Sequence, residues 1–443
     1  MKFSQFIFRN YRYDPTASTL SMQYRFSEGP SFEEKLIFDF TPRQLSPAEE
    51  AVLDRIFQLI FLLSGVSYYK AFIPKSLICE AFALDPNTAG FLHGFYEKGL
   101  AEFAFKNMIS LHSHFQIQSS PVLNDPPTEL DLPRKTCVPV GGGKDSLVTI
   151  ECLRRSGEPL VLFSLGDAEP IASCIEAAQL PSIRVHRLLD PALFKLNQAG
   201  ALNGHVPITG ILSAIALACA VMSGFDAIAM SNEYSASAPN LSIDGIDINH
   251  QFSKSLEFER DFSNYIAQAI SPSIAYFSLL RPYSEIEIAR RFAKHPQYFG
   301  RFRSCNTAFK QLPAARGRHW CCNCPKCRFV FLALAPFVAK PELAGIFGQN
   351  LLDDPAQRDG FAELCGLQKY KPFECVGETF ESAAVMRHLA DHTEWREDKV
   401  VRGLNADFPA LQQMNEGQYR ALFEMRTPHR VPTAYLAMLD ACG

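Results

Sequence analysis

This sequence of 443 residues has no excess of positive charge, no membrane-length apolar run, no internal repeat and no low-complexity tract. The formal net charge of −4 gives no electrostatic reason to expect a nucleic-acid partner, which usually needs a basic face. Basic residues crowd one stretch, at Arg301, Arg303, Lys310, Arg316 and Arg318, which reads either as a local basic stripe or, at least as well, as a solvated face near anionic phosphates. At the start, Asn10 and Arg12 arrive before the apolar core of a signal peptide can form. The most apolar stretch, 211–225, is too short to span a bilayer and carries Ser213, Ser223 and Gly224, so it is expected as a helix buried against a sheet. These absences argue against a membrane partner and place the chain in the cytoplasm, where its 13 cysteines should be reduced. Core packing or metal binding, rather than disulfides, is then the role expected of them.

With 47% hydrophobic and 20% charged residues the chain can bury a sizeable core. Its length suggests two or three domains at about 150 residues each. Three regions separate by pattern. An α+β N-terminal domain is expected over 1–133, with strands over 6–13 and 21–26 and helices over 47–63 and 87–100. It ends in a proline-rich linker over 121–133. A nucleotide-binding domain follows over 134–340, where strands at 136–140, 160–165, 183–186 and 227–230 alternate with helices at 146–155, 170–179 and 212–222. That alternation, with continuously apolar strands, predicts an α/β fold with a parallel, doubly wound sheet covered on both faces. A mainly helical region is expected over 341–443.

Ligands on such sheets sit at the carboxyl ends of the strands, and the first strand here ends at Gly141-Gly142-Gly143-Lys144-Asp145-Ser146. Three glycines let backbone N–H groups approach a polyphosphate without Cβ atoms in the way. The following helix points its N-terminal dipole at the anion, Lys144 adds a cation and Ser146 a hydroxyl donor. Asp145 is both a plausible helix cap and a possible magnesium partner. The Walker loop needs four residues between its first glycine and Gly-Lys-Ser/Thr, and that spacing is absent. The dinucleotide fingerprint is disfavoured by the charged Lys144-Asp145 pair and by the lack of an acidic residue ending the second strand. Residues 142–146 resemble the pyrophosphatase loop of the N-type ATP pyrophosphatases, which include NAD synthetases, GMP synthetases and 7-cyano-7-deazaguanine synthases. The resemblance implies an adenine-nucleotide-binding (HUP-like) parallel sheet that splits ATP into AMP and pyrophosphate. Their loop usually begins with serine, where this chain has Gly141.

Cys321, Cys324 and Cys327 stand with two residues between neighbours, a spacing that lets thiolates converge on one tetrahedral zinc ion. Cys305 is the expected fourth ligand, with Cys322 or His319 as replacements, and four thiols would make the zinc structural. The 7-cyano-7-deazaguanine synthases resemble the chain in this cluster too, but are much shorter.

A second polar region follows the last strand, at 231–240 and 249–259, and is dense in hydrogen-bonding and titratable groups where a binding loop should lie. By chemistry, His250, Lys254, Glu233, Tyr234 and Cys375 are candidates for acid/base work, and the residues alone do not rank them. Segments 67–70, 141–146, 231–233, 250–255, 320–321, 324–331 and 371–378 together resemble the family of UDP-N-acetyl-α-D-muramoyl-L-alanyl-L-glutamate epimerases. The resemblance spans nearly the whole chain and raises Glu374, Glu378 and Glu381 above ordinary surface charges. It implies a UDP-linked muramoyl dipeptide substrate, ATP with Mg²⁺, and inversion of the terminal glutamate during peptidoglycan synthesis. The alternative is an ATP-dependent amidating or thiolating enzyme of the deazaguanine type, acting on a base or tRNA.

Overall fold

The computed structural model describes residues 3–121, 126–243, 246–310, 316–368 and 371–440. Twelve strands are found there: β1 (Gln5–Asp14), β2 (Thr19–Phe26), β3 (Ser31–Phe38), β4 (Ser76–Cys79), β5 (Gln116–Ile117), β6 (Thr136–Pro139), β7 (Leu160–Leu165), β8 (Ser182–Leu188), β9 (Ala227–Met230), β10 (Leu241–Ile243), β11 (Ile246–Ile248) and β12 (Ala275–Ser278). β10 and β11 form a separate hairpin, and the other ten make one sheet in the order β12-β9-β6-β7-β8-β3-β2-β1-β4-β5.

The half from β12 to β8 is parallel throughout. β3 then pairs antiparallel with β8, and β2 and β1 continue antiparallel before β4 and β5 add parallel edges. The class is therefore α/β with a mostly parallel central sheet, into which the N-terminal strands are hydrogen-bonded directly. Part of the linker expected over 121–133, residues 122–125, lies outside the described residues. Downstream, the Thr128 amide donates to the Ile270 carbonyl and the Leu130 amide to Ser273.

Period-two alternation sorts each strand's side chains between two cores. Val138, Leu162, Ala227 and Ala229 face one, packed under the helices Lys144–Arg155 and Glu285–Phe292 and the C-terminal helices. Cys137, Val161, Phe163, Ile228 and Met230 face the other, under the helices Pro47–Ser64 and Ile208–Ser223. The segment 211–225 thus packs as a buried helix on the sheet, as its mixed apolar and small residues predict. Pro47–Tyr69 is long and apolar enough to cross a membrane by length and composition, but 78% of its apolar window is buried inside the fold. Among the described residues eleven cysteines are free thiols, and Cys152 departs from the expectation of reduced cysteines, being disulfide-bonded.

The seam between the two halves of the sheet carries a buried ion pair. Arg187 on β8 donates from Nε to Glu34 Oε1 on β3 at 2.7 Å and from Nη2 to Oε2 at 3.1 Å, and Nη2 also reaches Ser67 Oγ at 2.8 Å. Glu34 has no exposed side-chain surface. Removing one partner of such a pair strands the other charge in low dielectric, so Glu34→Gln is expected to destabilise the chain by about 3 kcal/mol. A urea titration showing an unchanged midpoint would contradict this.

Candidate active site

Sheet order reverses at β6. The chain runs outward through β7 and β8 on one side and returns through β9 and β12 on the other. Two loops therefore diverge at the carboxyl ends of adjacent strands, opening the crevice in which open α/β sheets bind ligands. One is the glycine loop after β6, the other Ser231-Asn232-Glu233 after β9.

Within the glycine loop each residue has its own task. Gly142 sits at φ +79°, and a Cβ there would stand 2.9 Å from Pro170 Cβ and 3.0 Å from the Pro170 carbonyl carbon. Only glycine meets both demands. A Cβ on Gly141 would meet nothing within 4 Å, and Gly141 and Gly143 line the cleft. Gly143 is the N-cap of the helix Lys144–Arg155 with no side-chain cap, so the first amides of this helix face the cleft without a capping side chain, with Asp145 in the first turn. The Ser146 hydroxyl also lines the cleft, and donates to the Gly143 carbonyl at 3.3 Å.

The cleft, of about 310 Å³, collects residues from the whole chain after residue 138: the glycine loop, Ser231, Asn232, Glu233, Lys254, Glu285, Ser304, Lys326 and Cys375 among them. Lys144 is buried and bonds Asp145 Oδ1 at 2.5 Å and also Glu285 Oε2. Burial would lower its pKa, but the charges of Asp145 and Glu285 outweigh this and hold the ammonium protonated. Asp145, Glu233 and Glu285 offer carboxylate oxygens within 4.8 Å of one another. Burial, together with Asp145 and Glu233, pushes the Glu285 carboxyl upward against the pull of Lys144. Three carboxyls beside one ammonium leave a surplus of negative charge that suits a divalent cation.

Of the acid/base candidates, Glu233, Lys254 and Cys375 line this cleft. Lys254 Nζ lies 3.5 Å from Cys375 Sγ. His250 stands just behind, coupled to the Cys375 thiol by charge and bonded through Nδ1 to Glu102 Oε2. Tyr234 is not among the cleft-lining residues; its ring lies under the Arg426 guanidinium, 4.9 Å from the ring centroid. Glu374 accepts from Asn306 Nδ2 at 2.6 Å. Glu381 accepts the amides of Glu285 at 3.0 Å and Glu378 at 2.7 Å, and with Glu378 completes a capping box.

The trio has coupled electrostatics. Burial would raise the Cys375 thiol, but Lys254, His250 and Lys326 bring it down to about 6. Burial would lower His250, but Cys375 and the bonded Glu102 carry it up to about 9. Glu102 falls to about 2 because His250 and Lys106 outweigh its burial. Neither Glu102 nor the neighbouring His205 carries a sequence signal, and Glu285 reads as an ordinary first-turn helix acid. A larger cleft of about 650 Å³ backs onto the same loop, lined by Lys98, Ala101, Phe105, His112, Asn249 and Phe252 among others.

On the other side of the glycine loop, Cys305, Cys321, Cys324 and Cys327 bring their sulfurs within 4.8 Å of one another. Cys321 and Cys327 are 3.7 Å apart, and Cys324 and Cys327 3.4 Å. Cys322 turns away to the Phe347 carbonyl at 3.2 Å. In the basic stretch, Arg301 and Arg303 face Glu176 and Glu169.

The fold and cleft define an α/β protein with a glycine-rich strand–loop–helix turn beside a wall of titratable side chains. Family models of the MurL N-terminal domain and the MurL C-terminal domain match residues 1–279 and 301–419. A UDP-N-acetyl-alpha-D-muramoyl-L-alanyl-L-glutamate epimerase of Xanthomonas oryzae pv. oryzae is 38% identical over 97% of this chain and 96% of its own. Proteins of the same name from Salinispora tropica and a Micromonospora species are 41% and 40% identical, over 99% and 98% of this chain and 95% and 97% of theirs. The chain belongs to the MurL family and is an enzyme of the isomerase class.

The two flanking glycine positions separate conformational need from open space. Gly142→Ala is expected to lower stability by roughly 1–3 kcal/mol through its left-handed backbone and the Pro170 clash. Gly141→Ala should leave the melting temperature within a degree or so, and equal melting of the two variants would refute the distinction.

Proposed function

We propose that the chain inverts the terminal L-glutamate of UDP-MurNAc-L-Ala-L-Glu to D-glutamate in cytoplasmic peptidoglycan synthesis, consuming ATP to AMP and pyrophosphate. The observation that carries the reading is the meeting of the uncapped glycine-loop helix and the Glu233–Lys254–Cys375 wall in one cleft, in a chain whose relatives bear that name.

The chemistry explains the need for ATP. A proton α to an ionised carboxylate is hard to remove, because the carbanion would form beside a negative charge. A carboxyl-adenylate cancels that charge and leaves an acyl group that can take up the electron pair. A base on the wall then removes the proton, a proton returns to the other face, and water releases AMP. Residues 141–146 would hold the phosphates of an ATP pyrophosphatase-type site, with Lys144 against the developing charge. Asp145, Glu233 and Glu285 would hold Mg²⁺, which offsets phosphate charge. The donor set of Cys305, Cys321, Cys324 and Cys327 fits structural zinc, tying two loops together next to the phosphate site. The 650 Å³ cleft beside 249–255 offers room for the remainder of a large substrate, with Lys98 as a cation on its lining.

Incubation with ATP, Mg²⁺ and the UDP-linked dipeptide should yield AMP and D-glutamate after hydrolysis. AMP without inversion would move the substrate elsewhere and return the amidating reading. Freshly purified protein should hold about one zinc per chain and Cys324→Ser much less; metal-free wild-type protein would sink the ligand assignment.

A further inference from the structure

Glu102 belongs to the N-terminal part of the chain, 148 residues from His250 and further still from Cys375. It is nonetheless buried and bonded to the imidazole whose charge couples to the cleft thiol. Its carboxylate accepts from His250 and from Lys106, and His205 Nδ1 lies 3.9 Å away. Cys375 is the cleft-lining member of the chain and also faces Lys254 and, by charge, Lys326. A carboxylate, an imidazole and a thiol are thus arrayed from the protein interior to the cleft wall.

We propose that Cys375 is the base that removes the α-proton from one face of the activated glutamyl residue, with His250 and Glu102 as its positioning residues. This rests on the epimerase reading above. In the step the Cα–H bond breaks and an S–H bond forms. The electron pair moves into the enolate of the acyl group, and no oxidant or reductant is needed. Burial alone would leave Cys375 an inert thiol; the surrounding Lys254, His250 and Lys326 favour the thiolate instead. Lys254 cannot be its opposite-face partner. Two groups flanking one carbon, each at proton-transfer reach, stand about 6 Å apart, whereas Nζ and Sγ are 3.5 Å apart. The trio serves one face, and the acid for the other face comes from outside it. Glu102, His205 and His250 are also close enough to share a metal ion. Against that, His250 already bonds Glu102 through Nδ1, and Glu102 is bonded to Lys106 as well.

Two measurements on the full chain test the assignment. The first runs the reaction in D₂O and reads deuterium at the glutamyl Cα per AMP released. Cys375→Ala should lower this ratio by about 10²-fold or more, the usual worth of a positioned base; an unchanged ratio overturns the proposal. The second needs no substrate: iodoacetamide labelling of Cys375 against pH, read by peptide mass spectrometry. The wild-type thiol should titrate near its expected value of about 6. Glu102→Gln removes the charge that favours the imidazolium, which in turn favours the thiolate. Its labelling midpoint should therefore rise and its rate at pH 6 fall by about threefold or more. An ordinary wild-type thiol midpoint near 8.5, a midpoint unmoved by Glu102→Gln, or a stoichiometric metal ion lost in His205→Ala would each overturn the relay. If wild-type protein releases no AMP with the dipeptide, the substrate reading fails, and the labelling arm still decides whether the relay exists.

Discussion

Arg281 has no contact with solvent, so the chain around it must supply acceptors for its guanidinium. It finds them in the loop after β9 and in the segment that carries Lys254 and Glu259. Nη1 donates to the Glu233 carbonyl at 2.5 Å and Nη2 to the Lys254 carbonyl at 2.5 Å, while Nη2 and Nε share Glu259 Oε2 at 2.9 and 3.2 Å. The planar fork of one side chain thus sets the spacing between the loop after β9 and the loop that carries Lys254. Ser278, at the end of β12, accepts from Asn232 Nδ2 at 2.9 Å and lies 3.4 Å from the same guanidinium. The wall that faces the glycine loop is held by charge-assisted bonds to backbone, which do not slide as side-chain contacts do.

Opposite this clamp the electrostatics are unbalanced. Lys144 answers two of the three carboxylates, and the helix N-terminus adds partial positive charge without a side-chain cap. Across the cleft, Lys254 and Lys326 surround a thiol that would otherwise be neutral. The site therefore has an acidic pocket fitted to a cation and a basic wall fitted to an anion, a few side chains apart. A nucleotide triphosphate with its metal and a substrate carrying carboxylates would satisfy both at once. An ordinary hydrolase cleft with one sign of charge would satisfy only one.

What was legible in the sequence follows the range of the interactions involved. β7 and β9 lie where expected, because continuous apolar runs bounded by turns need no distant information. The glycine loop was legible for the same reason, since strand, glycines and helix start are contiguous. β3 was missed although its residues alternate strictly between buried and less buried, and so was its antiparallel pairing to β8, which joins the N-terminal strands to the parallel sheet. β12 was missed as well, although it is no shorter than β9, since no strand–helix alternation leads up to it in the sequence reading. Within the site, Lys254 and Cys375 could be named as types but not as neighbours. Glu102 and Glu285 could not be named at all, because their partners lie 148 and 141 residues away. Tyr234 had the right chemistry and position in the chain, yet its ring packs against Arg426, a contact nothing local encodes.

The helical C-terminal region has no chemical motif of its own beyond the segment around Cys375, yet the geometry of the nucleotide side depends on it. The helix Glu285–Phe292 begins with Ser284, whose hydroxyl donates to the Leu422 carbonyl and accepts from the Glu287 amide. Its first amide, that of Glu285, donates to Glu381, which also caps the helix Thr379–Asp391. The carboxylate that pairs with Lys144 is thus placed by two contacts from residues after 380, and the cleft thiol sits at the entrance to the same capping box. Buried carboxyls and caps of this kind tolerate little displacement, because each lost bond leaves a desolvated polar group. A chain cut before residue 341 would keep the glycine loop but lose both the thiol and the groups that aim Glu285. The helical region is better understood as the second half of the site than as an appendage to it.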